Sequence, residues 1–157
     1  DFNGTNDVFV HDLQSGATSL VSTGENGPAN SSSQGAYISA NGRFVAFESY
    51  ASNLTSDFSF NAWTPDIYVR DLQAGKTTLV SGQLDSHADS YSTNPSISAD
   101  GRFVAFVSDA TNLVPNDTNA TSDIFVRDRQ LKRTMRISIG TDGECAALVE
   151  ALKEILG

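Results

Sequence analysis

ISADGRFVAF, Ile97 to Phe106, followed by DIFVRD, Asp123 to Asp128, decides the fold of this chain. The pair occurs earlier as ISANGRFVAF (Ile38 to Phe47) and DIYVRD (Asp66 to Asp71), and the second segment once more as DVFVHD (Asp7 to Asp12). The offsets agree: 59 residues for the first segment, then 59 and 57 for the second. A period of this size, built from short strands and turns, marks a repeat architecture. Each unit then carries apolar surface that only a neighbouring unit covers.

Within one unit, Pro95 to Ala99 reads as a short strand, and Asp100-Gly101 as a tight hairpin turn with positive φ angles. Arg102 to Ser108 returns as a second strand. Phe103 and Ala105 face one side and Val104 and Phe106 the other, so the strand is apolar on both faces and belongs between stacked sheets. A loop rich in Asn, Asp and Thr (109–122) leads to a third strand, Asp123 to Asp128, and a turn to a fourth, Thr134 to Ile139. The preceding unit repeats this order, with Asn41-Gly42 and Leu72-Gln73-Ala74-Gly75 at its turns and Thr77 to Ser81 as its fourth strand. Four antiparallel strands buried on both faces describe a propeller blade. The expected fold is therefore all-β across residues 1–140: a half blade over 1–23, a blade over 35–81 and a blade over 94–139. That amounts to ten strands, or about two and a half blades.

The ISADGRFVAF and DIFVRD segments resemble the WD-repeat-like, TolB-type β-propeller repeats of bacterial proteins. In that family a strand ending in Ser-x-Asp-Gly precedes an apolar strand and then an Asp-Ile-Tyr/Phe-Val strand. The resemblance covers Asp1 to about Gly140. It implies a propeller with a binding or scaffolding role and does not imply catalysis, because propellers host unrelated functions.

The chain has 157 residues, a formal net charge of −9 and a pI near 4.4. This acidity argues against a nucleic-acid partner, since phosphate binding needs a basic surface. No apolar run approaches the roughly 18 residues of a membrane-spanning helix. Abundant Ser, Thr, Asn and Gly with a single Cys suit a secreted, periplasmic or cell-surface bacterial protein. Asp1 to Asp7 aligns with Asp117 to Asp123, the second half of an internal loop, which reads as excision from a longer repeat array.

After Gly140 the repeat stops. Thr141-Asp142-Gly143-Glu144 has the pattern of a capping box, and CAALVEALKEIL that follows has high helix propensity. Cys145, Leu148, Leu152 and Ile155 recur at spacings of three and four, the apolar stripe of a short C-terminal α-helix over 141–157. So short a helix needs packing. It either covers an open blade face or pairs with copies of itself as an oligomer interface. The abrupt change of composition is that of an engineered chain or an evolutionary fragment.

Cys145 is the only cysteine, so it forms no intrachain disulfide. A catalytic thiol would need a histidine, and His11 and His87 lie in a strand position and a polar loop; a buried or interface thiol is the expectation. Asp1, Asn3 and Asp7 alternate as calcium ligands do, and Asp117, Asn119 and Asp123 repeat the spacing. Asp57, Asn61 and Asp66 form a looser version. The competing reading is turn chemistry, because Asn and Asp bond their own backbone. Asp12, Asp71 and Asp128 begin hairpin turns on the same logic. Arg127, Arg129, Lys132, Arg133 and Arg136 are half of the ten basic residues. They form either a solvated outer edge or a docking edge for the acidic surface of another subunit.

The expected function is non-enzymatic: a scaffold or binding module that associates with copies of itself or with other propeller fragments, without an obligatory cofactor. Two and a half blades leave sheet edges and faces uncovered, both association hazards. One alternative is a calcium- or glycan-binding propeller module using the Asn/Asp loops. Another is the propeller portion of a hydrolase, although no Gly-x-Ser-x-Gly elbow occurs in this chain.

Overall fold

Strand pairing follows the repeat. A computed structural model of the chain describes residues 3–56, 64–83, 86–118 and 121–137. Strands β1 (Phe9–His11) and β2 (Thr18–Leu20) form a two-stranded sheet, the expected half blade. A small hairpin of β3 (Thr23–Gly24) and β4 (Gly27–Pro28) follows. Strands β5 (Ser33–Ile38), β6 (Phe44–Ser49), β7 (Asp66–Asp71) and β8 (Lys76–Leu79) make a four-stranded meander, blade 2. A second small hairpin, β9 (Gly82–Gln83) and β10 (Ser86–His87), leads to blade 3. That blade is another meander, of β11 (Ser92–Ile97), β12 (Phe103–Ser108), β13 (Asp123–Asp128) and β14 (Arg133–Ile137). Every pair is antiparallel.

The ten expected strands are all present, and the two interblade hairpins are additional. The first strands also begin earlier than expected. In blade 3 the strand starts at Ser92, not Pro95, and its register shifts between Thr93 and Ser96; blade 2 shifts at the matching place, between Gln34 and Tyr37. Such a bulge absorbs a residue without a ladder N–H, which lets Pro95 sit inside a strand. The C-terminal helix expected over 141–157 lies outside the described residues.

The turn between first and second strands is also corrected. Only its glycine takes a positive φ, +69° at Gly42 and +76° at Gly101. The Gly42 N–H donates to Ser39 O, and that of Gly101 to Ser98 O. The Asn41 and Asp100 side chains accept from Ser39 and Ser98 Oγ and from the Arg43 and Arg102 N–H groups. Self-bonded Asx turns of this kind explain why Asp or Asn precedes the glycine.

Side-chain alternation sorts the core into two layers. Val8, Val21 and Ala29 pack against Val45, Phe47 and Tyr68, joining the half blade to blade 2. Ala46, Ile67 and Val69 pack against Val104, Phe106 and Phe125, joining blade 2 to blade 3. Phe47 stacks on Tyr68 and Phe106 on Phe125, with ring centroids 6.0 and 5.8 Å apart. The expectation of burial on both faces therefore holds for β6, where Val45, Ala46, Phe47 and Glu48 are all buried. In blade 3, by contrast, Val104 and Phe106 are buried while Ala105 and Val107 are only partly so.

Asp12, Asp71 and Asp128 close the third strands and hold the next turns, as expected. Asp71 accepts the Gln73 and Ala74 N–H groups, and Asp128 those of Gln130 and Leu131. At the αL position of these turns stand Gly16 (φ +73°), Gly75 (φ +64°) and, in blade 3, Lys132 (φ +52°). A side chain held there costs about 1 kcal/mol relative to glycine. Asp71 and Asp128 also receive Arg43 and Arg102 at 2.7 and 2.8 Å. Hydrogen bonds from Arg43 hold the Asp71 carboxyl at about 2 instead of its ordinary 3.8. A depressed carboxyl stabilises the fold above its unfolded pKa and loses that contribution as pH falls through the folded value. The stability difference between the wild type and Arg43→Gln should thus be full above about pH 4 and close toward about pH 2, as thermal melts across that range would read. A difference that stayed constant to low pH would show that the pair contributes nothing through this ionisation.

Candidate functional site

Each third strand opens on an aspartate tied to the end of the fourth. Ser22 Oγ donates to Asp7 Oδ1 at 2.5 Å and Ser81 Oγ to Asp66 Oδ1 at 2.7 Å, while the Val8 and Ile67 N–H groups donate to the same two hydroxyls. The counterpart of these serines in blade 3, Ser138, is outside the described residues. The second oxygen of each aspartate meets a different partner: Asn3 Nδ2 at 3.2 Å on Asp7, His87 Nδ1 at 2.9 Å on Asp66, Arg136 Nη1 at 3.4 Å on Asp123. Ser81, His87 and Asp66 are the residue types of a hydrolase triad, but here the serine donates to the carboxylate. With Ser81 fully buried and its hydroxyl also accepting the Ile67 N–H, the cluster fastens strands.

Of the loops grouped by their calcium-like spacing, the described stretch from Asn3 to Asp7 is held by turn bonds. Asn3 Oδ1 accepts the Thr5 N–H and hydroxyl, and its amide donates to Asp7 and to Ala29 O. Asp117 and Asp123 do come together, with the Arg136 guanidinium between them. Asp1, Asn119, Asp57 and Asn61 lie outside the described residues. Among the described residues no cluster of three or more His, Cys, Asp or Glu side chains is placed to hold a metal ion. Cys145, Leu148, Leu152 and Ile155 also lie outside the described residues.

Among the described residues two surfaces remain on which chemistry can act. The first is a pair of open blade faces. Phe9 is 55% exposed, whereas its repeat counterparts Tyr68 and Phe125 are at 1% and 0%. Ile124, on the opposite face of blade 3, is 38% exposed where its counterpart Ile67 is at 0%. The second is a cleft of about 290 Å³ between β8 and the outer strands of blade 3. Lys76, Arg127, Arg129 and Lys132 line it, with Glu25 the one carboxylate among the lining residues. Burial pushes the Arg127 and Arg129 guanidinium pKa values down, although arginine stays charged.

No family model matches the chain, and no curated protein matches it. Among solved structures the fold aligns with a TolB-type protein from Agrobacterium tumefaciens at 18% identity over 83% of this chain, with a TM-score of 0.50. This is the fold of a TolB-type β-propeller. TolB from Acinetobacter baumannii aligns at 19% identity over 85% of this chain and 26% of its own, with a TM-score of 0.49. The tricorn protease aligns at 18% identity over 78% of this chain and 11% of its own, with a TM-score of 0.47. The chain spans 40% of the length of the Agrobacterium neighbour and less of the other two.

The basic run of blade 3 does not act as one edge. Its strand places successive residues on opposite sides. Arg136 is consumed by Asp117 and Asp123, Arg133 is exposed, and Arg127, Arg129 and Lys132 meet in the cleft. Sequence reading missed Lys76, which arrives from the neighbouring blade. The signal that could have found it is a comparison of repeat positions, since Lys76 stands where the first unit has Ala17.

Proposed function

We propose that this chain is a non-enzymatic propeller segment, a scaffold or binding module that associates with further copies of itself through its two open blade faces. The exposure of Phe9 and Ile124 at positions buried elsewhere in the repeat carries this reading. The two faces are complementary by construction. Blade 2 presents Ile67 and Val69 to Phe106 and Phe125 of blade 3. The Ile124 face of blade 3 therefore suits the aromatic face that Phe9 begins, in a head-to-tail contact. The same repeat logic, in which units stabilise one another only through their shared interfaces, makes association favourable. Composition supports a secreted, periplasmic or surface location, and among the described residues no helix is long and apolar enough to cross a membrane.

Size-exclusion chromatography with light scattering, run with and without reductant, tests the proposal. A dimer or larger assembly that reverts to monomer in Ile124→Asp and Phe9→Asp is expected. A compact wild-type monomer at high protein concentration would refute it, as would an assembly untouched by either substitution. A reductant-sensitive dimer would add Cys145 to the contact.

A further inference from the structure

The cleft between blades 2 and 3 carries more positive charge than the repeat-equivalent positions of the half blade and blade 2. Repeat alignment places Ala17, Arg70, Leu72 and Gly75 at the positions that Lys76, Arg127, Arg129 and Lys132 hold around this cleft. Three uncharged positions have become cations, all in one concavity, in a chain whose net charge is −9.

The arginine common to both sets of positions has a structural duty. Arg70 Nη1 donates to Thr23 O and Thr77 Oγ1, and Arg127 Nη1 to Gly82 O and Thr134 Oγ1, so each pins an interblade hairpin. Among the described residues no carboxylate pairs with Arg127. Arg129 lies over the Phe44 ring, 4.3 Å from its centroid, and donates to Gly101 O, which fixes its guanidinium without neutralising it. Of the carboxylates of the adjoining turns, Asp128 is engaged by Arg102, and Asp71, hydrogen-bonded to Arg43, reaches Arg129 only through space. Lys132 adds a cation at a backbone position, φ +52°, where both other units use glycine. Strain retained at one copy of a repeat points to a role for the side chain that incurs it.

We infer that this cleft binds a compact, multiply charged oxyanion, a phosphoryl or polycarboxylate group, with Arg127 and Arg129 as fixed donors and Lys76 and Lys132 as charges at its rim. The chemistry suits the residues. Guanidinium groups held by carbonyls present directional donors to oxyanions, and ammonium groups act as point charges. The volume of about 290 Å³ limits the ligand to a small anion or one charged group of a larger molecule. The site lies within one chain and does not depend on self-association.

Isothermal titration calorimetry of the full chain at constant ionic strength tests this, with inorganic pyrophosphate and citrate as separate probes. One site per chain is expected for at least one of them. The double variant Arg129→Leu/Lys132→Gly, which restores the residues of blade 2, should weaken binding about tenfold or more, given the strength of charge-assisted hydrogen bonds. Thermal melts should show it folded, because glycine relieves the αL position and offsets part of what the Arg129 contacts with Phe44 and Gly101 O contribute. Arg133→Gln removes an exposed cation outside the cleft and should leave binding unchanged. A phosphoryl site would favour pyrophosphate; a carboxylate site, citrate. Absence of binding by both probes would overturn the inference, and so would equal weakening by the double variant and Arg133→Gln, the mark of diffuse screening. Loss of self-association in the double variant without binding of either probe would also overturn it, reassigning the cleft to an acidic surface of another copy.

Discussion

Replacing Phe106 with alanine is expected to destabilise the protein by about 3–5 kcal/mol, the range for truncating a fully buried aromatic side chain. For a domain of this size that lowers the melting temperature by on the order of 10 °C. Phe106 is buried between blades 2 and 3, stacks on Phe125, and belongs to the cluster containing Ala46, Ile67 and Val69. Each of the two core clusters joins one unit to the next, so the loss falls on the interface that couples blades 2 and 3. Ile124→Ala is the internal comparison. It truncates an apolar residue of the same blade on its open face, and should cost less than about 1.5 kcal/mol when measured at a concentration where the chain is monomeric. Urea unfolding of the two variants decides the matter. Equal losses would mean that the blades stand independently and that the interface does not hold the fold.

That comparison rests on a distinction visible in the residues before any coordinates. A strand sends alternate side chains to opposite faces, so FVAF at 44–47 and 103–106 states that two apolar faces exist. It does not state that both are covered. Burial of the Ala46 and Ile67 face in blade 2 and exposure of Ile124 in blade 3 follow from neighbours, not from local pattern. The interblade hairpins were illegible for another reason. Strands of two residues are too short for any periodicity. Asn26-Gly27, with Gly27 at φ +99°, was the one turn signal of the pair, and its counterpart Asp85-Ser86 has no glycine. The Asx turns were foreseen at Asp71 and Asp128, yet their ion pairs were not. The partners, Arg43 and Arg102, adjoin them only because β6 pairs with β7, and β12 with β13, in the observed register.

The candidate site was the least legible part, because it belongs to no single unit. Lys76 opens β8 of one blade, and Arg127, Arg129 and Lys132 belong to the next. Read along the chain, the last three merge with Arg133 and Arg136 into one basic run. Stacked as blades, the run divides by face, and part of it closes on a lysine far away in sequence. Differences between repeat copies, not the features they share, pointed to the place.

Gly101→Ala should be the second damaging substitution, costing about 2–4 kcal/mol, whereas Gly42→Ala at the equivalent turn should cost about 1 kcal/mol. Both glycines have a positive φ, +76° and +69°, so both variants force alanine into the left-handed region. The surroundings differ. A Cβ on Gly42 would meet nothing within 4 Å, but one on Gly101 would fall 2.0 Å from the Phe44 ring of blade 2. That ring has little freedom to retreat, since Arg43 and Arg129 both lie over it, 4.9 and 4.3 Å from its centroid. The two turns also touch, through the Asn41 N–H on Ala99 O and the Asn41 amide on Asp100 O. Gly101 thus marks a point where one blade's turn presses on the next, while Gly42 answers only to its own backbone. Chemical denaturation of both variants separates the effects, because the conformational cost is common and the clash is not. If the two glycines proved equally tolerant, Phe44 would have to move aside at no cost, and the turn contact would not help to lock blade 2 to blade 3.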